Sequence, residues 1–261
     1  MSRKRGNFSG NGYQNKIEQL TNRGIMAYLN DDIDAVLKNE MVDYIGYADL
    51  QQYEKELIRF GGDIVKGYRH GISIGIVLPD SIVNQLPDRF DPNVACAYKN
   101  HAYNIINDRL NLTASRLSSF INARGYKTLP ITAADRTNEE EAIPTVSHKM
   151  IAHVAGLGWI GKSCLLVTKK HGPRVRFISL LTNAPLKAED NPVEQECREC
   201  TECMEICPAQ AIKGANFEMG RPREERFDFK KCQKYFDLLK EKNKWDVCGM
   251  CLYICPFGLQ K

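Results

Sequence analysis

The chain has 261 residues, of which 43% are hydrophobic, and its 36 Lys and Arg against 32 Asp and Glu leave a net charge of +4. This is an ordinary globular composition, without the basic stripe of a dedicated nucleic-acid binder. The longest strongly apolar stretch, 71–78, is far shorter than the roughly 18 residues of a membrane-spanning helix, so no membrane partner is expected.

In chain order, Arg3, Lys4 and Arg5 stand near the start with no apolar run behind them. Residues 1–14 therefore read as a disordered tail that is neither a secretory nor a twin-arginine signal, and a cytoplasmic location is expected. Residues 15–186 read as an α/β domain with helices at 32–39, 50–59 and 100–123. Its strands are expected at 42–48, 72–78, 126–131, 165–168 and 175–181, several of them almost entirely apolar, as buried strands are. In the long helix Ala102, Ile105, Ile106, Leu110, Leu117 and Phe120 make one apolar face. Gly172-Pro173 reads as a hairpin loop joining the last two strands, so the sheet is expected to be mixed and covered by helices. The polar stretch 187–196, with Pro192, leads into a cysteine-rich domain over 187–261, and the fold class is α+β.

Eight of the ten cysteines lie in the last 65 residues. Without a signal peptide, short fixed spacings read as metal ligands and not as a disulfide framework. The run Cys197-x2-Cys200-x2-Cys203-x3-Cys207-Pro208 has the spacing with which bacterial ferredoxins hold a 4Fe-4S cube. Two-residue loops let three thiolates converge on one cube, while Pro208 turns Cys207 toward a second. The later run Cys248-x2-Cys251-x3-Cys255-Pro256 repeats the pattern with its first cysteine displaced to Cys232. By the exchange rule of two-cluster ferredoxins, Cys197, Cys200, Cys203 and Cys255 hold one cluster and Cys207, Cys232, Cys248 and Cys251 the other. Two zinc sites are the competing reading, but zinc has no use for a crowded fourth cysteine followed by proline. Cys232 lies on a helix expected at 229–240 and completes the eight ligands; a lone buried thiol is its alternative. Two such clusters move single electrons, so a low-potential donor such as ferredoxin or flavodoxin is expected. The acceptor is either a partner redox protein or a cofactor that serves a small-molecule substrate.

Gly156-Leu157-Gly158-Trp159-Ile160-Gly161-Lys162 matches Gly-x-Gly-x-x-Gly, yet it follows a helix-like stretch (147–155) and precedes a strand-like one (164–168). The dinucleotide fingerprint requires the reverse order, and a tight helix-to-strand turn is the plain reading. Taken with Leu165-Leu166, the stretch from Leu181 to Leu186 and the two cysteine runs, the order of motifs resembles the epoxyqueuosine reductase and reductive dehalogenase superfamily. The likeness covers about 42–258 and is strongest from Ala155 onward. It implies a nitroreductase-like α/β domain carrying base-off cobalamin, followed by a two-cluster ferredoxin-like domain. It also implies that Gly156, Leu157, Gly158, Trp159, Ile160, Gly161 and Lys162 lie against the corrin. The Asp-x-His-x-x-Gly motif of base-displaced corrinoids is absent, which suits the base-off mode and equally a chain without a corrinoid. FMN is the alternative cofactor, because a nitroreductase-like scaffold can hold a flavin.

The family's Val-Asp-Thr-x-Pro stretch, whose Asp is the proton donor, is not matched; here the zone reads Glu139-Glu-Glu-Ala-Ile-Pro144. Asp135 and Glu141 are the nearby acids left as candidate donors, against the plain reading of a solvated loop. The chain stops at Lys261 without the helical-repeat extension that the family places on tRNA, so tRNA is not expected as a partner. Tyr98, His101 and Tyr103 are further proton sources or packing residues. Cys164, His153 and Cys96 read as an inert thiol, a surface or capping residue, and a second inert thiol. The expected function is an iron-sulfur oxidoreductase passing electrons through two clusters to cobalamin, which reduces a small substrate. The alternative is a non-enzymatic carrier or reductive activator of a partner corrinoid or flavin protein.

Overall fold

A computed structural model describes residues 28–138, 140–188, 192–243 and 245–259, so the expected tail 1–14 lies outside the described residues. The first part of the chain runs α1 (Asn30–Asn39), β1 (Tyr44–Asp49), α2 (Glu54–Gly61), β2 (His70–Val77), a short α3 (Asp80–Val83) and α4 (Pro92–Tyr98). After the π-helical stretch Lys99–Ile105 come α5 (Ile106–Asn122), β3 (Thr128–Ile131), α6 (His148–Val154), β4 (Trp159–Ile160), β5 (Leu166–Val167) and β6 (Val175–Thr182). The cysteine-rich part adds α7 (Glu202–Glu205), α8 (Phe229–Asn243), α9 (Met250–Tyr253) and α10 (Pro256–Leu259). Local chemistry sets several of these boundaries. Asp91 accepts the Asn93 N–H ahead of Pro92, which starts α4, and Ser147 accepts the Met150 N–H, which starts α6. Both are N-cap hydrogen bonds that satisfy otherwise orphaned amides.

The four-stranded sheet has the order β1-β2-β6-β3. Every pairing in it is antiparallel, which corrects the mixed sheet expected from sequence. The reason lies in the connections. Asp49 pairs with His70, and the Leu50 N–H donates to the Arg69 carbonyl, so the chain leaves β1 and enters β2 at the same end of the sheet. A strand that returns from the end at which its predecessor left must run antiparallel. The expected pairing across Gly172-Pro173 is also corrected. The turn exists, with an antiparallel bridge between Thr168 and Gly172, but β5 pairs with β4 in a separate ribbon. Both edges of β6 are already taken by β2 and β3, which leaves β5 no ladder to join.

Helices cover both faces of the sheet. Ile72, Ile74 and Ile76 of β2 and Ile178 and Leu180 of β6 face a core shared with Ile33 and Leu37 of α1 and with Ile106, Leu110 and Leu117 of α5. Each such fully buried aliphatic side chain contributes roughly 1.5–3 kcal/mol. On the other face, Leu181 meets Leu57 of α2 and Met150, Ile151 and Val154 of α6. Val247, Met250 and Leu252 from the cysteine-rich part belong to the first core, so the second cysteine run is anchored in the same hydrophobic interior as the sheet. Among the described residues, no helix is long and apolar enough to cross a membrane.

Candidate metal centres and the cavity beside them

All ten cysteines are free thiols. Cys197 and Cys200 are joined by a tight turn in which the Cys200 N–H donates to the Cys197 carbonyl at 2.8 Å. α7 carries Cys203, and Cys255 arrives from the turn between α9 and α10. These four line one hollow, with Cys251 at its side. Burial, then the neighbouring Cys197, Cys200 and Cys255, push the Cys203 thiol up to about 12. Burial likewise raises Cys255 to about 11, with Cys197 and Cys200 adding to it. A second group forms around α8 and α9. Cys232 is pushed up to about 12 by burial and then by Cys248 and Cys207. Cys251 is raised by burial and by Cys248, Cys232, Cys207 and, more weakly, Cys203. Cys197, Cys200, Cys203 and Cys255 thus lie near one another as one quartet and Cys207, Cys232, Cys248 and Cys251 as a second, with Cys251 also near Cys203.

Protonated thiols this close would repel one another once ionised, and a bound metal supplies the positive charge that holds them as thiolates. Among the described residues, no three Cys, His, Asp or Glu side chains converge on a single ion. The all-sulfur donor set, arranged around a hollow, fits an iron-sulfur cluster by its chemistry.

The glycine-rich stretch packs against the first quartet. Gly156, with φ +74°, ends α6, and Leu157 lies on Gly46. A Cβ on Gly158 would stand 2.2 Å from the Val167 carbonyl oxygen across the β4-β5 ribbon, and one on Gly161 would stand 3.3 Å from Cys197 Sγ. Trp159 is fully buried and meets the Phe257 ring edge-on at 4.7 Å. Lys162, 8% exposed, donates from Nζ to the carbonyls of Arg198 and Cys200 and so clasps the segment carrying the first cysteines. His153 holds the stretch from below through Nδ1 and the Gly158 carbonyl, 3.0 Å apart. Of the seven residues from Gly156 to Lys162, only Ile160 reaches the cavity described next.

Beside the second quartet, Arg89 donates from Nη2 to the Tyr235 hydroxyl (3.1 Å) and from Nη1 to Met250 Sδ (3.2 Å), tying α8 to α9. Tyr98 is buried there with Tyr103 edge-on at 5.9 Å. Burial, then Tyr103, raises its phenol well above the usual range, so it keeps its proton. Cys96 is engaged locally as acceptor from Asn100 Nδ2.

A cavity of about 770 Å³ opens between α2, α6, the β4-β5 ribbon and residues 213–230. Ile160 and Cys164 come to its wall from the ribbon, and Lys149 comes from α6, donating at 2.7 Å to the Cys164 carbonyl. Glu141 lies on the wall, and its carbonyl accepts from Arg223 Nη2 at 2.7 Å. Asp135 is turned instead to the Thr145 N–H, whose hydrogen bond it accepts at 2.7 Å. Sequence reasoning missed Lys149, Arg223 and Arg226. A lysine just ahead of the apolar Met150 and Ile151 was a weak signal for the first, whereas the two arginines sit in a charged stretch that singles out neither.

Residues 196–258 match the family model of a 4Fe-4S double cluster binding domain. The chain is 26% identical over 262 residues to an epoxyqueuosine reductase of Bacillus cereus, covering 87% of this chain and 64% of that one. It is 32% identical over 123 residues to an epoxyqueuosine reductase of Bacillus anthracis, covering 42% of this chain and 29% of that one. The fold is shared with an epoxyqueuosine reductase solved with an epoxyqueuosine-modified tRNA-Tyr stem loop (TM-score 0.60, 19% identity, 89% of this chain and 66% of that chain). It is shared also with a catabolic reductive dehalogenase (0.64, 18%, 87% and 31%) and with one whose structure addresses B12-dependent dehalogenation (0.64, 18%, 88% and 32%).

The chain spans less than two thirds of the length of the curated relatives just described. In sequence the chain is similar to epoxyqueuosine reductases, as the motif order implied, and it shares an α+β fold with them and with reductive dehalogenases, with a double-cluster segment at 196–258. One of these solved proteins holds an epoxyqueuosine-modified tRNA stem loop. These relatives lend FMN no support.

Proposed function

We propose that the protein is an iron-sulfur, corrinoid-dependent reductase, with a 4Fe-4S cluster in each cysteine quartet and a corrinoid in the adjoining cavity. The ligand sets are Cys197, Cys200, Cys203 and Cys255 for one cluster and Cys207, Cys232, Cys248 and Cys251 for the other. Bound there, the clusters would supply single electrons at low potential and the corrinoid a cobalt centre able to reduce a substrate. The reading of the α/β part as nitroreductase-like rests on motif order alone.

The observation that carries the reading is that one two-stranded ribbon forms a wall of both sites. Ile160 and Cys164 face the cavity, while Gly161 and Lys162 abut the first quartet. Only a thin layer of chain separates them. Lys149 ties that ribbon to α6, which keeps the wall rigid, and Phe257 against Trp159 pins it from the cysteine side. Of the two candidate acids, Glu141 is proposed as the proton donor because it lies on the cavity wall, whereas the Asp135 carboxylate caps a loop amide.

The test is anaerobic reconstitution followed by addition of cobalamin. Retention of cobalt with the EPR signature of base-off Co(II), reducible with dithionite, is expected; an iron-replete protein that retains no cobalt refutes the corrinoid. Because the relatives are epoxyqueuosine reductases, a modified tRNA stem loop is the first substrate to offer, with an aryl halide as the second.

A further inference from the structure

The cavity wall carries a buried guanidinium whose donors the described residues leave partly unmatched. Arg226 is 7% exposed; its guanidinium lies 4.7 Å over the Phe217 ring, and Nε and Nη1 are buried without a hydrogen-bond partner. Lys149 spends one donor on the Cys164 carbonyl. Burial lowers its pKa, and Arg223 and Arg226 beside it lower it further. Among the described residues, neither Arg226 nor Lys149 has a carboxylate at ion-pair distance.

The acids on the same walls are occupied or solvated. Glu224 pairs with Arg223 at 3.0 Å, Glu56 with Arg59 at 3.8 Å, Asp228 accepts the Lys231 N–H, and Glu140 and Glu141 are exposed. A buried guanidinium with idle donors is costly, and a second cation beside it raises that cost; an incoming oxyanion relieves both.

We propose that Arg226 and Lys149 form an oxyanion subsite in the cavity, taking a carboxylate or phosphate group of the molecule that fills it. The planar guanidinium offers paired donors to two oxygens of such a group, and the lysine ammonium adds a point charge from the α6 side. Phe217 fixes the plane of the guanidinium from behind. This rests on the reading of the cavity as the ligand site and adds to it the chemistry of one end of the ligand. The oxyanion has two sources: the phosphate in the nucleotide tail of a corrinoid, or an acidic group on the substrate.

The test uses the full, iron-reconstituted chain. Inorganic phosphate is titrated against the corrinoid-free protein by equilibrium dialysis at constant ionic strength. Cobalamin and cobinamide, which lacks the phosphate-bearing tail, are then compared as ligands. Phosphate is expected to bind the parent protein and to bind Arg226→Met and Lys149→Met about tenfold or more weakly, the scale of a lost charge-assisted hydrogen bond. A preference for cobalamin over cobinamide that Arg226→Met abolishes assigns the subsite to the cofactor tail. Equal affinity for both corrinoids, with phosphate still binding the cobalamin-loaded protein, assigns it to the substrate.

Absence of phosphate binding together with no discrimination between the corrinoids overturns the subsite. So does unchanged binding in both variants at parental iron content. Should Arg226→Met fail to fold, Arg226→Lys, which keeps the charge, and Lys149→Met carry the comparison. If no corrinoid binds at all, the phosphate arm still decides the subsite, and only the corrinoid reading fails.

Discussion

Replacing Gly158 by alanine separates a packing role for the glycine-rich stretch from a cofactor role. The added Cβ would lie 2.2 Å from the oxygen and 2.9 Å from the carbon of the Val167 carbonyl, and 3.2 Å from Thr168 Cα. All three are backbone atoms of β5 or of the residue that follows it, so no side-chain rotation relieves the clash. Restoring ordinary contact requires β5 to retreat by roughly an ångström, which breaks the pairing of Trp159 with Val167. Overpacking costs about 1–3 kcal/mol, and a backbone obstacle puts this substitution at the upper end. For a chain of this size, about 3 kcal/mol lowers Tm by roughly 6–12 °C. Gly125→Ala is the control: its φ is +86° with nothing within 4 Å, so it carries only the left-handed backbone penalty of about 1–2 kcal/mol. The assay is thermal melting of cobalt-free protein, with iron analysis on the same samples. Gly158→Ala should melt well below Gly125→Ala and lose iron, because Gly161 and Lys162 follow the ribbon and the first cysteines follow Lys162. Parental Tm and iron content, with a deficit only in corrinoid binding, would refute the packing argument.

Reconstituted protein should hold about eight irons per chain, and Cys232→Ser should lose about half of them; unchanged iron in that variant removes Cys232 from the ligands. Arg174 is 2% exposed and pairs with Asp80 at 2.7 Å while donating to the Tyr253 carbonyl near Cys255. Arg174→Met should cost about 3–5 kcal/mol in thermal or chemical denaturation, and a loss below 1 kcal/mol would contradict the clamp. His148 is held neutral, its pKa lowered to about 4 chiefly by burial. The unfolded chain takes up that proton near pH 6.5, so the contribution of His148 is complete above that pH and is lost as pH falls from 6.5 toward 4. The slope is at most about 1.4 kcal/mol per pH unit, and His148→Gln should flatten it. Glu141→Gln should lower turnover in a reductase assay far more than Asp135→Asn; the reverse order would move the proton donor to Asp135.

The cysteine runs were legible in the sequence because cluster ligation is a short-range demand: two- and three-residue spacings must bring thiols to one centre wherever the segment lies in the fold. The helices and the long buried strands were legible for a similar reason, since the alternation of Ile72, Ile74 and Ile76 and the repeat of Ile106, Leu110 and Leu117 are local records of a buried face. What each element packs against was decided only by the tertiary structure. Gly172-Pro173 announced a reversal, but whether β5 pairs with β6 depended on whether an edge of β6 was free, and β2 and β3 had taken both. Gly158 and Gly161 announced a close approach, but the approaching atoms belong to Val167 and Cys197, residues whose distance along the chain says nothing of their nearness. Lys149 and Arg226 lie 77 positions apart, and in the sequence each is one cation among many. Burial removed most of the water that would have solvated Arg226, and folding placed both beside one cavity in which, among the described residues, neither has a carboxylate at ion-pair distance.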